Sequence, residues 1–180
     1  LVTHRGEHYE VDTARLYTLP EEPPKVYMSA FGPKALGLAA READGLIQVA
    51  PAEEAVESFR DKGGEGKPVQ GGLKVCWAPS EEEARRVAHH RWPNEALTGE
   101  APQLLPLPRH FEQLTDGLVT EQMVADEIAC GPDPEVHVAA IRPYLEAGVD
   151  EVYVCQVGDD QEGFFEFYAD EVLPRLRAQV

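Results

Sequence analysis

Pro24-Lys-Val-Tyr-Met-Ser-Ala-Phe-Gly-Pro-Lys-Ala-Leu-Gly-Leu-Ala-Ala-Arg-Glu-Ala-Asp-Gly-Leu-Ile47 holds a whole strand–turn–helix–strand unit. Val26 to Ala30 is a run of β-formers, bounded by Pro23-Pro24 on one side and Gly32-Pro33 on the other. Residues 34 to 43 read as a helix with Pro33 at its first position, where a missing N–H leaves no helical bond unmade. Asp44-Gly45 stops that helix, and Leu46 to Val49 is the next strand. A helix between two strands carries the chain back across a sheet, so the two strands run parallel.

Working outward, the alternation continues. Glu53 to Asp61 reads as a helix with Ala55, Val56 and Phe59 on one face, ended by Gly63-Gly64-Glu65-Gly66. Val69 to Trp77 is a third strand interrupted by Gly71-Gly72. Ser80-Glu-Glu-Glu83 is a capping box opening a helix to about Arg91. Residues 92 to 119, with Pro93, Pro102, Pro106 and Pro108, read as irregular, and their length suggests a lid-like excursion. Thr120 caps a helix through Asp126, and Asp133-Pro134-Glu135 opens another that Pro143 should kink before Gly148. Glu151 to Gln156 is a fourth strand, and Gly163 to Ala178 a terminal amphipathic helix. The fold class is therefore α/β. Four strands fit an open sheet or half of a closed (β/α)8 barrel, which needs eight.

Charge narrows the partners. Lys plus Arg number 16 against 33 Asp plus Glu, a net charge of −17, which repels nucleic acid and anionic membrane surfaces. No apolar run approaches the roughly 20 residues of a membrane span. The sequence opens Leu1-Val2-Thr3-His4-Arg5, without an initiator Met or a signal core, which reads as processing or truncation. Cys76, Cys130 and Cys155 are far apart and form no CxxC pair, which argues against structural zinc and for a reducing, cytoplasmic setting.

The Pro24–Ile47 stretch resembles the chain just past the middle of luciferase-like enzymes, where Ala-Asp-Gly introduces the next strand. Tyr144-Leu-Glu-Ala-Gly-Val-Asp-Glu-Val-Tyr-Val154, Gln161-Glu-Gly-Phe-Phe165 and Leu173-Pro-Arg-Leu-Arg177 are similar to the final strand and helix of the coenzyme F420-dependent subgroup related to glucose-6-phosphate dehydrogenase. Val69-Gln-Gly-Gly-Leu-Lys-Val-Cys-Trp77 and Arg91-Trp-Pro-Asn-Glu95 fit that subgroup too. The resemblance implies one domain over residues 1–180, the C-terminal half of a luciferase-like TIM barrel, strands five to eight. The family's catalytic His, Trp and Glu lie on the four earlier strands, so no residue here takes their roles. It implies hydride exchange between coenzyme F420 and a small organic substrate, in a protein that is a homodimer when full-length. An FMN-dependent luciferase-like monooxygenase is the alternative, and a non-catalytic anion- or partner-binding α/β module the alternative of another class.

Candidate site residues follow. Ala30, Phe31, Gly32, Lys34 and Ala35 form the turn from the first strand into its helix. Free amides and the positive dipole end of a helix suit a phosphate, and the resemblance makes this the turn that holds the deazaflavin's phosphate. Gln48 and Val49 end the next strand, at the end where barrel active sites lie, and the resemblance gives Val49 a position facing substrate. At three positions where sugar-phosphate-using members place cations, the approximate counterparts are Ala52, Asp126 and Glu162. Two carboxylates beside a phosphate dianion cost roughly 1 kcal/mol or more per close pair, which argues against glucose 6-phosphate. Cys130 before a helix start reads as a structural loop thiol. His89-His90 cannot share a helix face as metal ligands. Trp77, Trp92, His110 and Phe111 read as packing.

Overall fold

The computed structural model describes residues 1–178. Its centre is a parallel sheet. β1 (Val2–Arg5) and β2 (Glu10–Ala14) form a separate antiparallel hairpin. β3 (Tyr27–Ser29) is followed by α1 (Pro33–Glu42), β4 (Gly45–Gln48), α2 (Glu53–Phe59) and β5 (Val69–Cys76). α3 (Glu81–Arg91) leads through a short 3-10 turn, Pro93–Ala96, to α4 (Ala101–Leu104), α5 (Pro108–Leu118) and α6 (Glu121–Glu127). β6 (Ala129–Cys130), α7 (Pro134–Glu146) and β7 (Glu151–Gln156) come next. The final helix is α8 (Gln161–Phe167), continued by one wide turn into α9 (Leu173–Arg177).

β3 pairs with β4, β4 with β5, and β5 with β7, all parallel. β5 is the organising strand. β7 runs along one side of it from Gln70 to Val75. Its other side is shared: β4 pairs with Val69–Gly71, and β6 takes over at Val75 and Cys76. Between these two partners the Gly72 carbonyl has no strand to meet, and the Tyr144 hydroxyl from α7 reaches it at 3.1 Å. The gap matters because the candidate cavity opens there.

Strict alternation sorts the strand residues. Leu46, Val69, Leu73, Val75, Val152 and Val154 face the helices and join their buried Leu, Val, Phe and Tyr side chains. Tyr153 and Cys155 fall on the opposite, exposed face, as the sequence pattern requires. Gly71 is needed where it stands, because a Cβ there would sit 2.7 Å from the Tyr144 ring.

Several expectations are corrected. Residues 92 to 119 are largely helical: Pro93, Pro102 and Pro108 each sit in the first turn of a helix, where they favour helix instead of breaking it. α7 spans Pro134–Glu146 with Pro143 inside it, so the proline does not end the helix. β6, two residues long, has no periodicity to announce it, and the hairpin at 2–14 was not anticipated. Two caps stand as expected: the Ser80 hydroxyl accepts from the Glu83 amide at 3.3 Å, and the Asp133 carboxylate from the Glu135 amide at 3.0 Å. Among the described residues no helix is long and apolar enough to cross a membrane.

Behind β5 lies a buried histidine. His137 is fully buried, with Nε2 2.9 Å from the Gly131 carbonyl and Nδ1 2.9 Å from the Tyr168 hydroxyl. A carbonyl only accepts, so Nε2 carries the proton and Nδ1 accepts from Tyr168. Burial holds this imidazole below its ordinary range, partly opposed by the Gly131 bond and the Asp133 charge. The unfolded chain therefore binds the extra proton more readily than the fold does. The resulting stability is fully present above the unfolded value near 6.5 and is lost as pH falls below it. Chemical denaturation midpoints of the intact enzyme should drop between pH 7 and pH 5, and His137→Gln should flatten that drop. An equal slope in both proteins would show that another group carries it.

Candidate active site

The strands are parallel, so their carboxyl ends lie together, and the loops that follow them form one rim. On this rim β3 passes into α1 through Ala30-Phe31-Gly32. Ala30 is buried and Phe31 is 73% exposed. Gly32 is the N-cap of α1 with extended backbone, φ −107° and ψ 159°, and supplies no side chain to the helix start. A Cβ on Gly32 would meet nothing within 4 Å, so the space above the first turn is open. Pro33 has no N–H to offer, which leaves the Lys34 and Ala35 amides as orphan donors there. No acidic residue occupies this first turn, although the chain is strongly acidic and α3, α6, α7 and α8 begin with acidic residues and side-chain caps. An anion placed there meets two amides and the positive end of a ten-residue helix.

Gln48 is not among the residues lining the large cavity. It is buried, and its Nε2 donates to the Ala30 carbonyl at 3.1 Å, which ties the end of β4 to the turn before α1. Val49, one residue on, is 61% exposed and lines a cavity of about 950 Å³. This cavity spans the gap between β4 and β6. Val49, Ala129 and Ala140 give it apolar walls, and Tyr144 stands at its back. The one Tyr144 hydroxyl proton lies between two carbonyls, Gly72 at 3.1 Å and Val49 at 3.3 Å. Burial, with the Glu95 charge adding to it, pushes that phenol above its ordinary range.

Charged groups complete the cavity. Lys74 on β5 turns its ammonium onto both Glu95 oxygens, at 3.1 and 3.0 Å, and lies 5.4 Å from the centre of the Trp92 ring. Asp126 and Glu127 add two exposed carboxylates at the rim. Asp126 accepts from Gln122 at 2.7 Å, and Gln122 in turn accepts from Arg85 at 2.6 Å. Of the three positions where cations were sought, Asp126 lines the cavity, Ala52 caps α2, and Glu162 sits in the first turn of α8, outside the lining. Lys74, Glu95 and Tyr144 are not singled out in the sequence analysis; alternation along β5 is the signal that could have found Lys74.

The other candidates resolve as packing. Cys130 and Cys76 are register neighbours across β5 and β6. Burial pushes their thiols up to about 12 and about 11, which leaves almost no thiolate for nucleophilic work. His89 Nε2 lies 2.9 Å from the Val119 carbonyl. Trp77 packs against Phe167, and Phe111 lines a separate groove of about 480 Å³ in the 92–119 segment.

This parallel sheet, with its rim of loops, matches a known family. The sequence profile of the luciferase-like monooxygenases fits residues 1–151. The chain belongs to that family. Among its relatives, an F420-dependent glucose-6-phosphate dehydrogenase of Nakamurella multipartita is 34% identical over 191 residues. That match covers 99% of this chain and 56% of the relative. One of the same name from Amycolatopsis mediterranei is 30% identical, over 98% of this chain and 56% of its own length. The chain thus spans about half the length of the curated relatives it matches. In structure it is similar to an F420-dependent secondary alcohol dehydrogenase solved with an F420-acetone adduct, with a TM-score of 0.74 and 23% identity. That superposition takes in 97% of this chain and 56% of the other. It is also similar to the long-chain alkane monooxygenase LadA, with a TM-score of 0.56, 15% identity, 98% of this chain and 46% of the other. At these identities the structures establish the fold: a luciferase-like α/β barrel architecture, of which this chain makes about half.

Proposed function

We propose that this chain is the C-terminal half of a coenzyme F420-dependent oxidoreductase acting on a small organic substrate other than glucose 6-phosphate. The observation that carries the reading is the uncapped, acid-free start of α1, with open space above Gly32, on the same rim as the large cavity. When bound, the deazaflavin would supply the hydride chemistry. The chain's own residues do the holding. The Lys34 and Ala35 amides and the α1 dipole take the phosphate, with the Lys34 side chain adding charge. Gln48 fixes the Ala30 carbonyl behind it, and the apolar walls from Val49 to Ala140 keep water from the substrate. Residues 92–119 act as a lid-like excursion, which brings Glu95 into the cavity. The catalytic His, Trp and Glu of the family belong to the other half.

Titration of the intact enzyme with each cofactor tests the reading. Coenzyme F420 should bind at least about tenfold more tightly than FMN, a difference of about 1.4 kcal/mol. Equal or tighter FMN binding would shift the assignment to an FMN monooxygenase, and no binding of either would favour a non-catalytic module.

A second expectation concerns substrate. Glucose 6-phosphate should turn over at least about a hundredfold less efficiently than a good substrate, because Asp126 stands at the cavity where a cation would be needed. Steady-state kcat/KM values for the intact enzyme decide this, and efficient turnover of the sugar phosphate would sink it.

A further inference from the structure

We infer that the Lys74–Glu95 ion pair is a latch. It holds residues 92–119 as a strap over the mouth of the large cavity, and its parting lets the strap lift. That lifting admits substrate rests on the proposed reading of this cavity. The latch itself rests on contacts made within the chain.

The polar ties of the strap lie at its two ends. At the near end Lys74, on β5, meets both Glu95 oxygens at 3.1 and 3.0 Å and stands 5.4 Å from the centre of the Trp92 ring. At the far end His89, on α3, lies 2.9 Å from the Val119 carbonyl. Between them the Thr115 hydroxyl turns back onto its own helix, to the Phe111 carbonyl at 2.9 Å and the Glu112 carbonyl at 3.2 Å. Among the described residues, no side-chain hydrogen bond or ion pair joins residues 96–114 to the rest of the fold. Ala96 and Leu97 seat the near end by apolar contact with the cluster under α3 and α6. Beyond them Leu104 is 74% exposed, and Leu107 and Leu118 also face solvent. A segment with few buried apolar contacts opens at low cost, so one ion pair at its near end can set how often it lifts.

The pair stands at the cavity. Lys74 and Glu95 both line it, and so does Cys155, the register partner of Lys74 across β5 and β7. Both members of the pair belong to this chain, and each side chain is 31% exposed. A cover over the sheet face, from the rest of a longer protein, would take both charges further from water. Parting them then costs more, because attraction grows as the local dielectric falls and a lone charge is left behind.

The test uses the intact enzyme and two readouts. The first is hydrogen exchange at the Glu95 and Leu97 amides, which donate within the near end at 3.2 and 3.1 Å. The second is alkylation of Cys155 by iodoacetamide, read by mass spectrometry of its peptide; Cys76 and Cys130 are buried. Lys74→Met and Glu95→Gln should each speed both readouts by about fivefold, the upper range for a partly exposed pair, with the melting temperature unchanged. Lys74→Met is the sharper variant. Losing a neighbouring ammonium by itself slows a thiol, because less thiolate forms, so faster alkylation there reports opening. Lys74→Glu and Glu95→Lys should act in the same direction, and the double reversal should restore the slow rates. An unchanged rate in either readout for Lys74→Met or Glu95→Gln would overturn the inference. So would acceleration that the double reversal leaves in place, or that appears only with a lower melting temperature. If a reversal fails to fold, the two neutral variants decide alone. Cofactor titration is a separate measurement: a working latch with no F420 binding would leave this inference standing and remove the proposed reaction.

Discussion

Gly32→Val is expected to weaken coenzyme F420 binding to the intact enzyme by about tenfold to a hundredfold while leaving the melting temperature unchanged. The two halves of this expectation have separate physical grounds. Gly32 has extended backbone at φ −107° and ψ 159°, which valine adopts without strain, and its Cβ position touches nothing. The folded protein should therefore accept the larger residue. The cofactor should not, because the isopropyl group would fill the open space through which a phosphate reaches the Lys34 and Ala35 amides. Losing one or two hydrogen bonds to a charged group costs about 1.5–3 kcal/mol, and that range converts to the stated loss in affinity. Gly32→Ala should show a smaller loss in the same direction. Fluorescence titration with the cofactor reads both variants. Unchanged affinity in Gly32→Val would remove this turn from the site.

That turn was legible in the sequence because its chemistry is local. An apolar run, a Gly-Pro pair and a helix are adjacent along the chain, so the sequence places β3 and α1 within a residue or two. The same holds for the caps at Ser80, Thr120 and Asp133, which need a reach of only two or three residues. Features that depend on distant residues were illegible. Tyr144 bridges carbonyls 72 and 95 positions away in sequence, and it does so only because β4 ends where it does. Glu95 reaches Lys74 because the proline-rich segment folds into short helices, which its composition disguised as loop. Gln48 was placed at the correct strand end, but its direction was not visible: the side chain turns back to Ala30 instead of toward a substrate. Val75 faces the helix layer, because alternation on β5 puts it in phase with Val69 and Leu73.

The 180-residue chain by itself is expected to show no hydride transfer and to self-associate or unfold on dilution. Among the described residues β3 pairs with β4 alone and β7 with β5 alone, so both carry an outer row of unmatched backbone donors and acceptors. Such edges recruit further strands. Exposed Tyr153 on β7 adds apolar surface beside one of them. Polar pairs hold the face of the sheet opposite the helices, among the described residues. Gln70 donates to Glu151 at 2.8 Å and Tyr153 to the same carboxylate at 3.3 Å, with Lys74 on Glu95 nearby. Exposed pairs of this kind contribute at most about 1 kcal/mol each, which cannot replace the packed interior of a closed barrel. The hairpin of β1 and β2 is nearly all exposed, and an isolated two-stranded hairpin is marginal in water. A second half-barrel, from the rest of a longer protein or from another copy, would cover all three surfaces together. Sedimentation of the chain in dilute buffer should find dimers or larger species, or a chain without a cooperative melting transition. A coenzyme F420 reduction assay on the same sample should read background. A stable monomer with turnover like that of the intact enzyme would refute both parts, because it would place a complete active site within these strands.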